Sequence, residues 1–191
     1  MNEEVIIVSG LPRSGTSVMM QLLSAGGIAP LTDNLRVADT DNPRGYYEFE
    51  RAKKIKEDAA WLPDARGKVV KMVSQLLYDL PASERYRILF MERDLDEVIT
   101  SQEKMLTRLG RTAAPREQIR HSYTLHLNRL RRWLGEQPNF AVLPVRYAAL
   151  VARPEEEARL VHDFLGGRLN VVAAIAAVDP SLYRNRATVK T

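Results

Sequence analysis

The chain has 191 residues, of which 45% are hydrophobic and 27% are charged, which is an ordinary globular composition. It contains no cysteine, which excludes disulfides and thiolate metal sites, and no apolar stretch is long enough to span a bilayer. The net charge of +4 is compatible with anionic ligands without requiring nucleic acid, so we expect one cytoplasmic domain over 1–191 that holds no metal.

Short apolar runs rich in β-branched residues alternate along the chain with segments of helical periodicity. The runs predict buried strands at 5–9, 67–73, 85–92 and 139–145. The periodic segments predict helices at 15–27, 48–61, 94–109, 115–136, 154–165 and 171–178. This alternation indicates an α/β fold with three layers, in which a central parallel sheet lies between two layers of helices. Ligands of such sheets bind beyond the carboxyl ends of the strands, so the strand-to-helix turns are the candidate site.

The first of these turns, VSGLPRSGTS at 8–17, has nearly the pattern of a phosphate-binding loop. Gly10 and Gly15 permit the backbone to turn its N–H groups toward an anion. A nucleoside triphosphatase carries a lysine after the second glycine, but Thr16 stands there. The cation of this loop is Arg13, whose planar guanidinium can bind an oxyanion with two hydrogen bonds. Three hydroxyl groups add further donors, those of Ser14, Thr16 and Ser17.

The segment PRSGTS after an apolar strand resembles the 5′-phosphosulfate loop of sulfotransferases that use 3′-phosphoadenosine 5′-phosphosulfate (PAPS). That loop reads Lys/Arg-Ser-Gly-Thr-Ser/Thr, and residues 13–17 match it at every position. The resemblance implies a fold like that of P-loop nucleoside triphosphatases, with PAPS as donor and adenosine 3′,5′-bisphosphate (PAP) as product. It also implies that the 5′-phosphosulfate is held by Arg13, Ser14, Gly15, Thr16 and Ser17.

The same family holds the 3′-phosphate of the donor with an arginine at a strand end and a serine eight residues later. Arg93 follows the strand predicted at 85–92, and Ser101 stands eight residues on, in the next helix. The resemblance therefore implies that Arg93 and Ser101 bind this phosphate. The alternative for Arg93 is an ion pair with an acid in the first turn of the helix, Asp96 or Glu97.

A third ligand for the same phosphate is implied in the segment AVDPSLYRNR at 177–186, which is similar to the end of bacterial members of the family. Relatives use a late basic loop near the nucleotide, and Arg184 is the candidate here. The alternative is that the basic residues of this segment only tie the end of the chain to the fold.

Sulfuryl transfer requires a base that removes a proton from the acceptor. Cytosolic members of the family use a histidine in an early loop, whereas the first histidine of this chain is His121. The segment NPRGYYEFE is similar to one that recurs in bacterial sulfotransferase-like proteins, and Glu48 is its acid. The resemblance implies that Glu48 is the base, with Glu50 as second candidate. The alternative is that Glu48 caps a helix or lies in its first turn.

Lys71 lies within the apolar strand sequence VVKMV, where a charged side chain is costly unless it is paired or escapes to water. In relatives a lysine near this strand end points into the site, which implies that Lys71 and Arg13 stabilise the charge that develops on the leaving oxygen. The alternative is that Lys71 extends along the surface to solvent.

These residues predict a PAPS-dependent sulfotransferase that acts by in-line displacement on a hydroxyl or amine of a small-molecule, carbohydrate or peptide acceptor. We expect segments 28–45 and 103–130 to shape the acceptor pocket, and their arginines favour an anionic or polar acceptor unless they form only a solvated helix face. One alternative function is a P-loop kinase, although the loop lacks its lysine and Asp94 is the nearest candidate for holding magnesium. Another is a family member that binds nucleotide without catalysis.

Overall fold

The computed structural model describes residues 4–33, 35 and 45–183. Its strands are β1 (Glu4–Gly10), β2 (Val69–Val73), β3 (Arg85–Glu92) and β4 (Phe140–Arg146), which confirms all four predicted strands. Its α-helices are α1 (Thr16–Ala25), α2 (Leu62–Ala65), α3 (Leu95–Arg108), α4 (Arg116–Gly135), α5 (Tyr147–Ala152), α6 (Pro154–Phe164) and α7 (Val171–Ala176). Within the described residues, three short 3₁₀ helices span Glu50–Lys54, Ser74–Asp79 and Pro180–Leu182.

The four strands form one parallel sheet in the order β2-β1-β3-β4. The register pairs Gly10 with both Val73 and Met91, so the carboxyl ends of the strands meet at one edge. From β1 the chain continues to β2 on one side of the sheet, and from β3 it continues to β4 on the other side. The turns after β1 and β3 therefore diverge, and such a switch point is where open α/β sheets bind their ligands.

Helices cover both faces of the sheet, as the sequence predicts. Ile6 and Val8 of β1 pack into a core with α1, α5, α6 and α7. The alternate residues Val5 and Ile7 pack into a second core with α2, α4 and the segment around Glu50–Lys54. Because successive strand side chains point to opposite faces, a continuous apolar run serves both cores.

The predicted helix over 48–61 is wrong. Only Glu50–Lys54 is helical there, and it is a 3₁₀ helix. The buried residues Ala52, in this helix, and Ile55, directly after it, stand three apart, which fits the three residues per turn of a 3₁₀ helix. Pro63, which follows the predicted range, lies in the first turn of α2.

Two short elements directly follow strand ends, and periodicity does not predict them because six residues are too few to show a helical repeat. The 3₁₀ helix Ser74–Asp79 follows β2, and α5 follows β4. They matter for the site because they bring Ser74 and Tyr147 to the edge of the sheet where the strands end.

Candidate active site at the ends of β1 and β3

The loop between β1 and α1 has the backbone shape of an anion cradle. Arg13 and Gly15 both have left-handed backbone angles, with φ of 70° and 100°. A left-handed conformation is uncommon for a residue with a side chain, and such strain is concentrated at functional sites. The carbonyl of Gly15 accepts hydrogen bonds from the N–H groups of Val18 and Met19, at 3.1 and 3.2 Å, which starts α1 directly behind the loop.

The loop also has a hydroxyl that is ready for a ligand. Ser14 is 1% exposed, and its Oγ has no hydrogen-bond partner among the described residues. A Cβ at Gly10 would lie 2.5 Å from this oxygen, so only glycine leaves room for it. Because a buried hydroxyl without a partner is costly, Ser14 Oγ fits the donor that the sequence predicts for an oxyanion.

The residues predicted to hold the two ends of the donor, Arg13 for one and Arg93 with Ser101 for the other, lie in contact. We call these two groups the anchors. Arg13 donates from Nε to Oγ of Ser101, at 3.0 Å, across 88 residues of sequence. Arg93 donates from Nη1 to the backbone carbonyl of Arg13, at 3.1 Å. The loop after β1 and the residues after β3 thus form one continuous cluster, and Ser101 is 3% exposed within it.

Arg93 is held on several sides by groups that sequence reasoning did not identify as functional. Its Nε pairs with the carboxylate of Glu97 at 2.8 Å, and the side chains are only 8% and 5% exposed. Its guanidinium carbon lies 4.7 Å from the ring centre of Tyr147 and 5.2 Å from that of Tyr183, within the range of cation–π interaction. The first-turn ion pair that the sequence offered as an alternative is therefore present, with Glu97 as the partner.

Tyr183 completes this cluster from the last described part of the chain. Its hydroxyl donates to Glu97 at 2.8 Å, and burial together with this hydrogen bond raises the pKa of Tyr183 to about 12. Its ring packs edge-on against that of Tyr147, with centres 4.9 Å apart. The i, i+4 spacing of Arg93 and Glu97 was a usable signal for that pair, whereas nothing local connects the two tyrosines to it.

Tyr147 also packs directly against the loop. A Cβ at Gly15 would lie 2.3 Å from the ring of Tyr147, which is 3% exposed. The same ring therefore contacts the loop glycine on one side and Arg93 on another, which fixes the two anchors relative to each other.

Lys71 brings a second cation to the loop from the neighbouring strand. Its Nζ donates to Ser17 Oγ at 3.2 Å and to the backbone carbonyl of Tyr46, and it lies 5.7 Å from the Tyr46 ring centre. The half-buried ammonium is thus directed at the first turn of α1, not along the surface to solvent as the alternative held. A cation reaches the loop although Thr16 replaces the usual lysine.

Glu48 and Glu50 share one cation. Lys53 Nζ lies 2.8 Å from a carboxylate oxygen of Glu48 and 2.5 Å from one of Glu50, and these hydrogen bonds raise the pKa of Lys53. Glu48 is the more buried carboxylate, at 15% exposure against 48% for Glu50. The alternative that Glu48 caps a helix is wrong, because Phe49 is the N-cap residue and Glu50 is the first-turn acid.

Two of the arginines in the segment 103–130 form ion pairs within the protein. Arg116 and Arg120 both donate to Asp96, and Arg116 also pairs with Glu103 at 2.8 Å. The hydrogen bonds from Arg116 and Arg120 lower the pKa of Asp96. These arginines therefore connect α4 to α3, and they are not directed at a ligand.

Arg184 lies outside the described residues, so its predicted contact with the 3′-phosphate stays a prediction. Within the described ranges, no helix has the length and apolar character needed to cross a membrane. No cluster of metal-ligating side chains occurs in this part of the chain either.

Comparison with known proteins shows the family of the chain. A model of the sulfotransferase family matches residues 47–170, which is most of the chain. The chain belongs to the sulfotransferase family. The matched region of this sulfotransferase includes Glu48, Lys71, Arg93 and Ser101, while the loop at 10–17 precedes it. No curated protein matches the sequence.

Two solved structures resemble this sulfotransferase in fold. The sulfotransferase domain from the curacin biosynthetic pathway is 16% identical, with a TM-score of 0.52 over 94% of this chain and 88% of that one. The sulfotransferase domain from the Synechococcus PCC 7002 olefin synthase is 17% identical, with a TM-score of 0.53 over 98% of this chain and 90% of that one. At these identities the likeness concerns the fold, and the predicted α/β P-loop-like architecture is confirmed.

Proposed function

We propose that this member of the sulfotransferase family transfers the sulfuryl group of PAPS to a hydroxyl or amine of an acceptor by in-line displacement. The observation that supports this most strongly is the contact between Arg13 and Ser101, with Arg93 bonded to the same loop. The two groups predicted to bind anions, one after β1 and one after β3, lie within the length of one arginine side chain. A nucleotide with anionic groups at both its 5′ and 3′ positions fits that arrangement.

On the donor side, the N–H groups at the start of α1, the buried Ser14 hydroxyl and Arg13 bind the 5′-phosphosulfate, with Thr16 and Ser17 as further donors. Arg93 and Ser101 bind the 3′-phosphate, and Arg184 adds a contact. The guanidinium of Arg93 is oriented by its bonds from Nε to Glu97 and from Nη1 to the carbonyl of Arg13. The tyrosine rings hold the guanidinium plane, which lowers the entropy lost on binding.

On the acceptor side, Glu48 removes the proton of the nucleophile as the acceptor oxygen or nitrogen forms its bond to sulfur. The bond between sulfur and the bridging phosphate oxygen breaks, and PAP leaves with the electron pair. Arg13 and Lys71 stabilise the negative charge that develops on the bridging oxygen. Lys71 is suited to this role because its ammonium already contacts Ser17 in the first turn behind the loop.

Thermal unfolding with PAP, and with ATP and magnesium, tests the donor assignment. At a hundredfold excess over its Kd a ligand adds about 2.7 kcal/mol to the free energy of unfolding, which corresponds to roughly 5–11 °C for a chain of this size. We expect PAP to stabilise the protein without magnesium. Stabilisation by ATP with magnesium but not by PAP would favour a P-loop kinase and overturn the proposal.

Turnover with labelled PAPS and pools of small-molecule, carbohydrate and peptide acceptors tests the reaction itself. Transfer of label to an acceptor is the expected result. Stabilisation by PAP without transfer to any pool would favour a member of the family that binds nucleotide without catalysis.

A further inference from the structure

Apart from the donor site, a recess lies on the sheet face that α4 covers, between α4 and the 3₁₀ helix Ser74–Asp79. Its volume is about 590 Å³, within the range of small-molecule sites. Six residues line it, namely Tyr78, Ser122, Leu125, His126, Arg129 and Trp133. None of these belongs to the donor site described above.

The wall of this recess is aromatic. Tyr78 packs against Trp133 with ring centres 4.7 Å apart, and against His126 at 6.2 Å. Trp133 is anchored below by an edge-on contact with Phe140 of β4, at 5.5 Å. Tyr78 and Leu125 remain 39% and 42% exposed, so apolar surface faces solvent here. A flat ring would cover that surface and stack on the wall.

The polar groups of the recess suit an acid. His126 shares a hydrogen bond of 2.8 Å with Ser74, which is fully buried, and burial lowers the pKa of His126. Arg129 stands three residues further along the same helix and is exposed. None of the described carboxylates forms an ion pair with Arg129, so its charge is available to a ligand.

The recess lies on the face of the sheet opposite α1. It extends from His126, which is bonded to Ser74 directly after β2, to Trp133, which contacts the first residue of β4. The donor site lies beyond the carboxyl ends of β1 and β3, so the recess is separate from it.

We propose that this recess is a second ligand site, which binds a flat aromatic acid with its ring against Tyr78 and Trp133 and its acidic group on Arg129. Binding in the recess is measurable without donor or turnover.

The probe is 2-naphthoate, a flat aromatic acid without a nucleophilic hydroxyl, followed by NMR of the histidine rings. The chain has only three histidines, so single substitutions assign their signals. We expect saturable shifts of the His126 ring signals, with those of His121 and His162 unchanged. His162 lies elsewhere in the fold, where its Nδ1 is bonded to the carbonyl of Leu169 at 2.7 Å.

Charge recognition is tested with two matched variants. Arg129→Gln should weaken 2-naphthoate about tenfold and leave the neutral 2-naphthol unchanged. Arg132→Gln removes an exposed charge from the same helix outside the recess and should change the binding of neither compound. Equal binding of naphthol and naphthoate, with no effect of Arg129→Gln, would show an apolar pocket and overturn the acidic ligand class.

Adding PAP separates this inference from the proposed function. Simultaneous binding of PAP and 2-naphthoate supports a ligand site separate from the donor site. Displacement of naphthoate by PAP, or no shift of the His126 signals in a protein that PAP stabilises, overturns the inference alone. Binding of naphthoate without any binding of PAP overturns the proposed function and leaves this inference standing.

Discussion

Arg13 and Ser101, 88 residues apart in sequence, are joined by a hydrogen bond of 3.0 Å between Nε and Oγ. The first residue belongs to the loop after β1 and the second to the helix after β3. Their contact means that neither anchor is positioned independently of the other.

We therefore expect substitutions at the two positions to be coupled in PAP binding. Arg13→Gln should weaken PAP by about 10- to 100-fold, because a charged donor is lost. Since Ser101→Ala removes the partner of the same side chain, the double variant should deviate from additivity by at least about 0.5 kcal/mol. Calorimetric titration of the four proteins measures the deviation, and strict additivity would show that the contact plays no part in binding. Arg132→Gln combined with Ser101→Ala should be additive.

Glu97 compensates the charge of Arg93 in a nearly buried pair, so Glu97→Gln leaves that charge without its counterion. We expect a loss of about 3 kcal/mol, or roughly 6–12 °C in Tm. PAP should restore more stability to this variant than to the wild type, because the 3′-phosphate replaces the lost negative charge.

The control is Glu103→Gln, which breaks the exposed pair with Arg116 and should cost at most about 1 kcal/mol. Equal stabilisation of wild type and Glu97→Gln by PAP would argue that no phosphate reaches Arg93.

If Glu48 is the base, Glu48→Gln should lower kcat by about 10²–10⁴ while PAP binding is retained. Glu50 shares Lys53 with Glu48 but is far more exposed, so Glu50→Gln serves as the matched control and should change kcat little. Single-turnover rates with labelled donor measure both. The reverse order of effects would transfer the role to Glu50.

Gly15→Ala should destabilise the fold and disturb the donor site together. The new methyl group meets the buried ring of Tyr147 at 2.3 Å, and φ of 100° is strained for alanine. We expect a loss of about 3 kcal/mol. At Gly110, φ is 66° but nothing lies within 4 Å, so Gly110→Ala isolates the backbone cost of about 1 kcal/mol. Equal losses in thermal unfolding would contradict the role of Tyr147 as a steric limit.

The half-buried His126 should make the free energy of unfolding depend on pH. Its folded-state pKa is lowered by burial, so between that value and the unfolded value of about 6.5 the unfolded chain binds more protons. The free energy of unfolding is therefore highest above about pH 6.5 and falls as pH decreases, by at most about 1.4 kcal/mol per pH unit.

His126→Gln should flatten this slope between pH 7 and 5, whereas His121→Gln, at an exposed position of the same helix, should keep it. Denaturant titrations at several pH values measure the slopes. Identical slopes in the wild type and His126→Gln would assign the pH dependence to other groups.

The sequence alone determined the four strands, the loop and the spacing of Arg93 and Ser101. These features are local: an apolar run, a glycine pattern and an interval between two residues on successive elements. The helix predicted over 48–61 failed because its polar residues resemble a solvated helix face, while its buried residues Ala52 and Ile55 follow a three-residue spacing. Arg184 lies outside the described residues.

Only the tertiary structure decided what surrounds those residues. Tyr147 reaches Arg93 because the strand order β2-β1-β3-β4 places the turn after β4 beside the turn after β3, and Tyr183 packs against both Tyr147 and Arg93. Lys71 points to the loop because β2 pairs with β1 in a register that sets Lys71 level with Val8. Contacts of this kind depend on which strands become neighbours, and no pattern within a single segment carries that information.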